Sequence, residues 1–105
     1  MSILHIAYAT DWHHAQHTGE YRISTRGRTL EQEGFIHLST DRRQAQAVTD
    51  RFYADVTEPL LLLEIDPTGL DIRYETPPDS DETFPHLYGP LPTSSVTAVH
   101  EHNTR

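Results

Sequence analysis

The chain has 105 residues, 16 Asp+Glu against 8 Lys+Arg, eight His, no Cys and a formal charge of -8; all eight basic residues are Arg. A chain of this size makes a single domain, 1–105, burying roughly 65% of the surface its unfolded form exposes. Without Cys there are no disulfides, thiolate nucleophiles, iron-sulfur clusters or Cys-based zinc sites, and no run approaches the ~20 apolar residues of a membrane helix.

Ile3 to Tyr8 (ILHIAY) is apolar and partly β-branched and predicts a strand. Thr10 and Asp11 suit a helix N-cap, so a short helix is expected from Asp11 to His17, stopped by Gly19. Tyr21 to Ser24 predicts a brief strand. Thr29-Leu30-Glu31-Gln32 has the capping-box form and predicts one helical turn before Gly34. Phe35 to Ser39 (FIHLS) predicts a second strand. Thr40 or Asp41 caps a helix expected to run to about Ala54, with Ala45, Val48 and Phe52 as its core-facing stripe. The unbroken apolar run Leu60 to Ile65 predicts a central strand covered on both faces.

Asp66-Pro67-Thr68-Gly69 predicts a turn, and Ile72 to Glu75 another strand. Thr76 to Thr83 (TPPDSDET) is acidic, holds two prolines and lacks periodicity, so it is expected to be a mobile loop. Phe84 to Tyr88 is extended, Gly89-Pro90-Leu91-Pro92 turns the chain, and Ser95 to Val99 alternates as a last strand. The fold class is α+β, with about five to six mixed strands, one main helix and one or two short helices. MSILHIAYATDW has no signal-peptide pattern, so the expected location is cytoplasmic, with no membrane partner.

Acids outnumber bases two to one, which argues against DNA or long RNA, since that affinity comes from Lys and Arg neutralising phosphates. A small anionic ligand needing one or two Arg remains compatible. If every His were protonated near pH 5, the formal charge would move from -8 to 0, in line with a pI of 5.3. His13, His14 and His17 lie in a polar segment, and His100 and His102 in the terminal HEHNTR, expected to be a frayed tail. His5, His37 and His86 each lie among apolar or aromatic residues.

Strand alternation sets Phe35, His37 and Ser39 on one face and Ile36 and Leu38 on the other. A His on a rigid strand beside a hydroxyl can orient a ligand or move a proton; the bland alternative is a buried His satisfied by backbone. In FPHLYGP, proline on both sides of His86 and Tyr88 marks a segment shaped to line something, or else an edge strand ending in a turn. His5 alone is a candidate ligand-binding group or a satisfied core His. Three strand-borne His residues raise the idea of an open zinc site, but the short local spacing of metal pairs is missing. His13 and His17 have that spacing on a helix without a third ligand, so no metal is expected. Glu75, at a strand end before the loop, is a candidate base or stabiliser of developing positive charge. GxSxG, GxxxxGK[ST] and GxGxxG are absent.

In order along the chain, LHIAYATDW, EGFIHLST, Gln44, LLLLEID, Glu75 and FPHLYGPL resemble the domain of unknown function 952 family. That resemblance implies a small bacterial protein with an ADP-ribosyltransferase-like fold. IHLSTDRRQAQAV followed by PLLLLEID is similar to the core of the NAD-dependent RNA 2'-phosphotransferases, which implies that His37 lies in an NAD-binding cleft. The His-Tyr-Glu arrangement of other ADP-ribosyltransferases has counterparts in residue type, without an aligned motif, in His5, Tyr88 and Glu75.

Together these imply a cleft that binds NAD or a related nucleotide through His5, His37, Ser39, His86 and Tyr88. Glu75 and His37 would be the catalytic pair at the nicotinamide ribose, Tyr88 would stack on the nicotinamide, and Arg22, Arg42 or Arg43 would meet the diphosphate. The same residues fit a module that binds a small metabolite without turnover, or a protein-interaction domain contacting partners through TPPDSDET.

Overall fold

The computed structural model describes residues 2–102, so the last three residues of HEHNTR lie outside them. Strand β1 (Ile3–Tyr8) passes directly into helix α1 (Ala9–Thr18), which Gly19 ends in the left-handed conformation at φ 90°. Thr10 and Asp11 therefore lie inside the helix rather than at its cap. The Ala9 N–H instead donates to the Pro59 carbonyl at 3.0 Å, which removes one of the first-turn donors a cap would satisfy. Short strands β2 (Glu20–Tyr21), β3 (Ile23–Thr25) and β4 (Arg28–Thr29) follow, then the single turn α2 (Leu30–Glu33). Its capping box is reciprocal: Gln32 N–H donates to Thr29 Oγ1 at 3.2 Å, and Thr29 N–H to Gln32 Oε1 at 2.9 Å.

After β5 (Ile36–His37), Asp41 caps α3 (Arg42–Phe52) by accepting from Gln44 N–H at 2.8 Å. Then come β6 (Leu60–Ile65), β7 (Ile72–Glu75), β8 (Phe84–Leu87), β9 (Leu91–Pro92), a 3-10 turn at Thr93–Ser95, and β10 (Val96–His102). The class is α+β as expected, but every strand pairing among the described residues is antiparallel rather than mixed, and several strands are only two residues long.

Two three-stranded sheets organise the chain, in the orders β1-β6-β10 and β5-β8-β7. β6 is central to the first and covered on both sides. Leu63 and Ile65 join Ile3, Trp12, Ile36 and Leu87 in one core, whereas Leu60 and Leu62 join Leu4, Ile6, Ala45 and Val48 beneath α3 in the other. The FIHLS segment is shared between the sheets. Ile36 and His37 pair with Leu87 and His86, while Ser39 exchanges two 2.8 Å backbone hydrogen bonds with Leu4.

Four further sequence expectations change. Phe52 is 43% exposed and is not part of the core stripe, because α3 ends there and Gln44 and Thr49 take the buried positions. β8 is a central strand, not an edge, and Pro85, which has no N–H to give the ladder, takes part in it through its carbonyl, which accepts from Leu38 N–H at 3.0 Å. Leu91 and Pro92 leave the turn to pair with β2. His100 and His102 belong to β10 rather than to a frayed tail: His100 bonds Glu64, and His102 Nε2 donates at 2.8 Å to Thr49 Oγ1, whose own proton goes to the Ala45 carbonyl at 2.9 Å. No helix among the described residues is long and apolar enough to cross a membrane.

Candidate functional site

The face of β5-β8-β7 opposite Ile36 and Leu87 carries the polar and aromatic residues. Strand alternation brings Phe35, His37, Glu75, Phe84, His86 and Tyr88 onto it. All six line a cavity of about 750 Å³, within the range of small-ligand pockets. α3 contributes Val48, Arg51 and Phe52 to the wall, the 76–83 loop contributes Pro77 and Asp79, and the β3–β4 hairpin contributes Arg26 and Arg28.

Near the middle of this face is a fixed polar cluster. Glu75 Oε1 accepts from Tyr88 O–H at 2.6 Å and from His86 Nδ1–H at 2.7 Å. The Tyr88 hydroxyl first, and His86 second, hold the Glu75 carboxyl below its usual range, so it is a carboxylate at neutral pH, while the same bond raises Tyr88. Phe35 lies flat on His86 with ring centroids 3.9 Å apart and planes 14° apart, and it also touches Tyr88 at 5.6 Å. Arg73 covers one face of Tyr88, its guanidinium carbon 4.2 Å from the ring centre. His37 lies directly across the β5–β8 pair from His86, their rings 5.5 Å apart. Burial pushes the His37 imidazole down to about 4, with the His86 and His5 rings adding to the effect, so it is neutral near pH 7.

His5 and Ser39 are not brought to this cavity. His5 is buried behind His37, donating from Nδ1 to the His37 carbonyl at 2.7 Å and bonded through Nε2 to the Tyr21 hydroxyl at 2.9 Å. With Ser24 and Ser39 it borders a void of only about 10 Å³. Both its ring nitrogens are used, so it supports β5 from behind, and the three-His metal idea fails on that geometry. Among the described residues no group of three or more His, Asp or Glu is placed to hold a metal ion.

The arginines also differ from expectation. Arg22 bonds Glu20 and Glu31, Arg42 lies 3.9 Å from Glu64, and Arg43 holds Glu82 at 2.6 Å; none of the three lines the cavity. The arginines that do are Arg26, Arg28 and Arg51, paired with the exposed Asp55, the half-buried Glu33 and the exposed Asp79. The sequence signal for the first two is Arg-Gly-Arg at a hairpin tip, where Gly27 takes φ 73°.

Gln44 fastens the loop to α3. Its Oε1 accepts from Thr40 N–H at 2.8 Å, and its Nε2 donates to the Thr83 carbonyl at 3.0 Å. With Arg43–Glu82 and Arg51–Asp79, this ties the acidic loop, expected to be mobile, to the helix at three points.

The chain is similar to a protein from Caulobacter crescentus known as CC0527. Its X-ray crystal structure superposes with a TM-score of 0.82 at 30% identity, covering 98% of this chain and 87% of that one. The solution NMR structure of the same protein gives a TM-score of 0.75 at 31% identity, with 95% and 83% covered. No curated protein matches. The family model described as protein of unknown function (DUF952) matches residues 6–99, and the chain belongs to that family.

Proposed function

We propose that the cleft binds NAD or a related nucleotide and that the protein transfers or cleaves at the nicotinamide ribose, on an ADP-ribosyltransferase-like fold. One observation carries this reading: a cavity of about 750 Å³ combines aromatic rings, the ionised Glu75 and three arginines, with Glu33, Asp79 and Glu82 also on its wall. A flat heterocycle fits the surface of Phe35, Phe84 and Tyr88, and a diphosphate fits Arg26, Arg28 and Arg51, whose present partners, the exposed Asp55 and Asp79 and the half-buried Glu33, are carboxylates that an anion can replace. Breaking the bond between ribose and nicotinamide builds oxocarbenium character, and Glu75, held as a carboxylate on the cavity wall, stabilises it. Neutral His37 orients a ribose hydroxyl.

The second reading, binding of a small metabolite without turnover, is favoured by Glu75 Oε1 already holding two donors. Incubation with NAD, following binding and nicotinamide release in wild type, Glu75→Ala and His37→Ala, separates them. Release that disappears in Glu75→Ala supports the transferase; binding without release, lost in His37→Ala, supports the metabolite-binding module. No interaction at millimolar NAD overturns the nucleotide reading.

A further inference from the structure

Among the described residues, Nε2 of His86 is a buried side-chain nitrogen with no hydrogen-bond partner. An unmade bond of this kind costs about 1–3 kcal/mol, so a folded protein retains it where something else completes it. The rest of the ring is accounted for. Nδ1 is held by Glu75 at 2.7 Å, and Phe35 covers a face at 3.9 Å. The neighbouring backbone of His37 is also used, its N–H by Ser24 and its carbonyl by His5.

Glu75 fixes the tautomer. Its Oε1 takes the Tyr88 proton as well, so it is an acceptor toward both partners, and Nδ1 must be the nitrogen that carries hydrogen. In the neutral ring the remaining nitrogen is then a lone-pair acceptor. We infer that Nε2 of His86 selects the occupant of the cleft, accepting an N–H from a planar heteroaromatic amide and discriminating against the matching carboxylate or ketone. A carboxylate brings no donor to Nε2 and places its charge near that of Glu75, and a ketone brings no donor at all. A donor approaches Nε2 in the plane of the imidazole, so a planar amide lies edge-on to it, in the ring's own layer, while Phe35 covers a face of the ring with its plane tilted 14° and its centroid 3.9 Å away. The inference rests on the nucleotide reading for the body of the ligand, not for the amide itself.

The test compares NAD with its nicotinic-acid counterpart by calorimetry at pH 8, and nicotinamide with 3-acetylpyridine by ¹⁵N NMR of the His86 ring. NAD is expected to bind at least about tenfold tighter than the acid form. His86→Phe is expected to bring that ratio near one. In the ligand-free protein Nε2 should carry no hydrogen, and nicotinamide, but not 3-acetylpyridine, should shift its resonance. Equal binding of the two dinucleotides overturns the inference and leaves the nucleotide reading standing. A nicotinamide-specific shift without dinucleotide binding supports the inference and overturns the nucleotide reading. A hydrogen on Nε2 at pH 8, or no response of that nitrogen to nicotinamide, overturns the inference. The wild-type measurements decide even if His86→Phe does not fold.

Discussion

Acidification from pH 7.5 to 4.5 tests the burial of His5, because its ring sits in the core with both nitrogens bonded and no counter-charge beside it. Desolvation holds its pKa at about 4 in the fold, against the opposing effect of its bond to the His37 carbonyl, while 6.5 is the ordinary value. Between pH 6.5 and about 4 the unfolded chain therefore carries a proton that the native chain lacks. Stability falls as the pH drops through that window; the His5 contribution is whole above 6.5 and lost below about 4. A gap of two to three pH units at about 1.4 kcal/mol each amounts to about 3 kcal/mol, most of it gone by pH 4.5. Against a usual total of about 5–15 kcal/mol, that is a large fraction. His37 is held at about 4 as well and loses stability in the same window, but the two rings repel each other when charged, so their effects are not summed. His5→Gln keeps a donor and an acceptor and removes the titration. Urea unfolding at both pH values should show the variant losing about 2 kcal/mol less than wild type on acidification. Equal losses, or a His5 ring that titrates near pH 6.5 in the folded protein by NMR, would refute this account.

Leu63→Ala should cost about 2–5 kcal/mol in urea unfolding, since the side chain is fully buried on the central strand of the first sheet. Thr29→Ala removes one arm of the capping box and should cost about 1 kcal/mol by the same measurement. Arg51→Ala breaks an exposed pair with Asp79, so its stability cost should be under about 1 kcal/mol. Calorimetry should nonetheless show weaker NAD binding with a shallower salt dependence, and unchanged affinity would remove Arg51 from the proposed diphosphate site.

Local patterns made much of the fold legible. The β1 and β6 strands, the Thr29–Gln32 capping box, the Asp41 cap and the stop at Gly19 all depend on residues within a few positions of one another. Alternation likewise placed His37 opposite Ile36 and Leu38, and His86 with Tyr88 apart from Leu87. What local patterns do not carry is register between distant segments. That His86 lies across from His37, that Glu75 reaches His86 and Tyr88, and that FIHLS passes from one sheet to the other depend on pairings 35 to 51 residues apart in the chain or on antiparallel neighbours joined through a loop. Ser39 shares a face with His37 by alternation, yet the strand ends at His37 and Ser39 is drawn to Leu4, away from the cavity.

The arginines failed for a related reason. Arg42 and Arg43 lie in the first turn of α3, where they pair with Glu64 and Glu82 and do not line the cavity, whereas Arg51, at the far end of the same helix, borders it with Phe52. Spacing along a helix gives a face but not which end of that face meets a pocket formed by another sheet. The histidines show the same limit in their chemistry. Counting all eight as protonated near pH 5 brings the formal charge from -8 to 0, but burial keeps His5 and His37 neutral there, so two of those eight protons are not taken up until about pH 4. In the folded state the charge therefore stays more negative in mild acid than composition alone implies, and the proposed anionic ligand would have to displace the carboxylates that Arg26, Arg28 and Arg51 now hold, because the cavity wall itself carries Glu33, Glu75, Asp79 and Glu82.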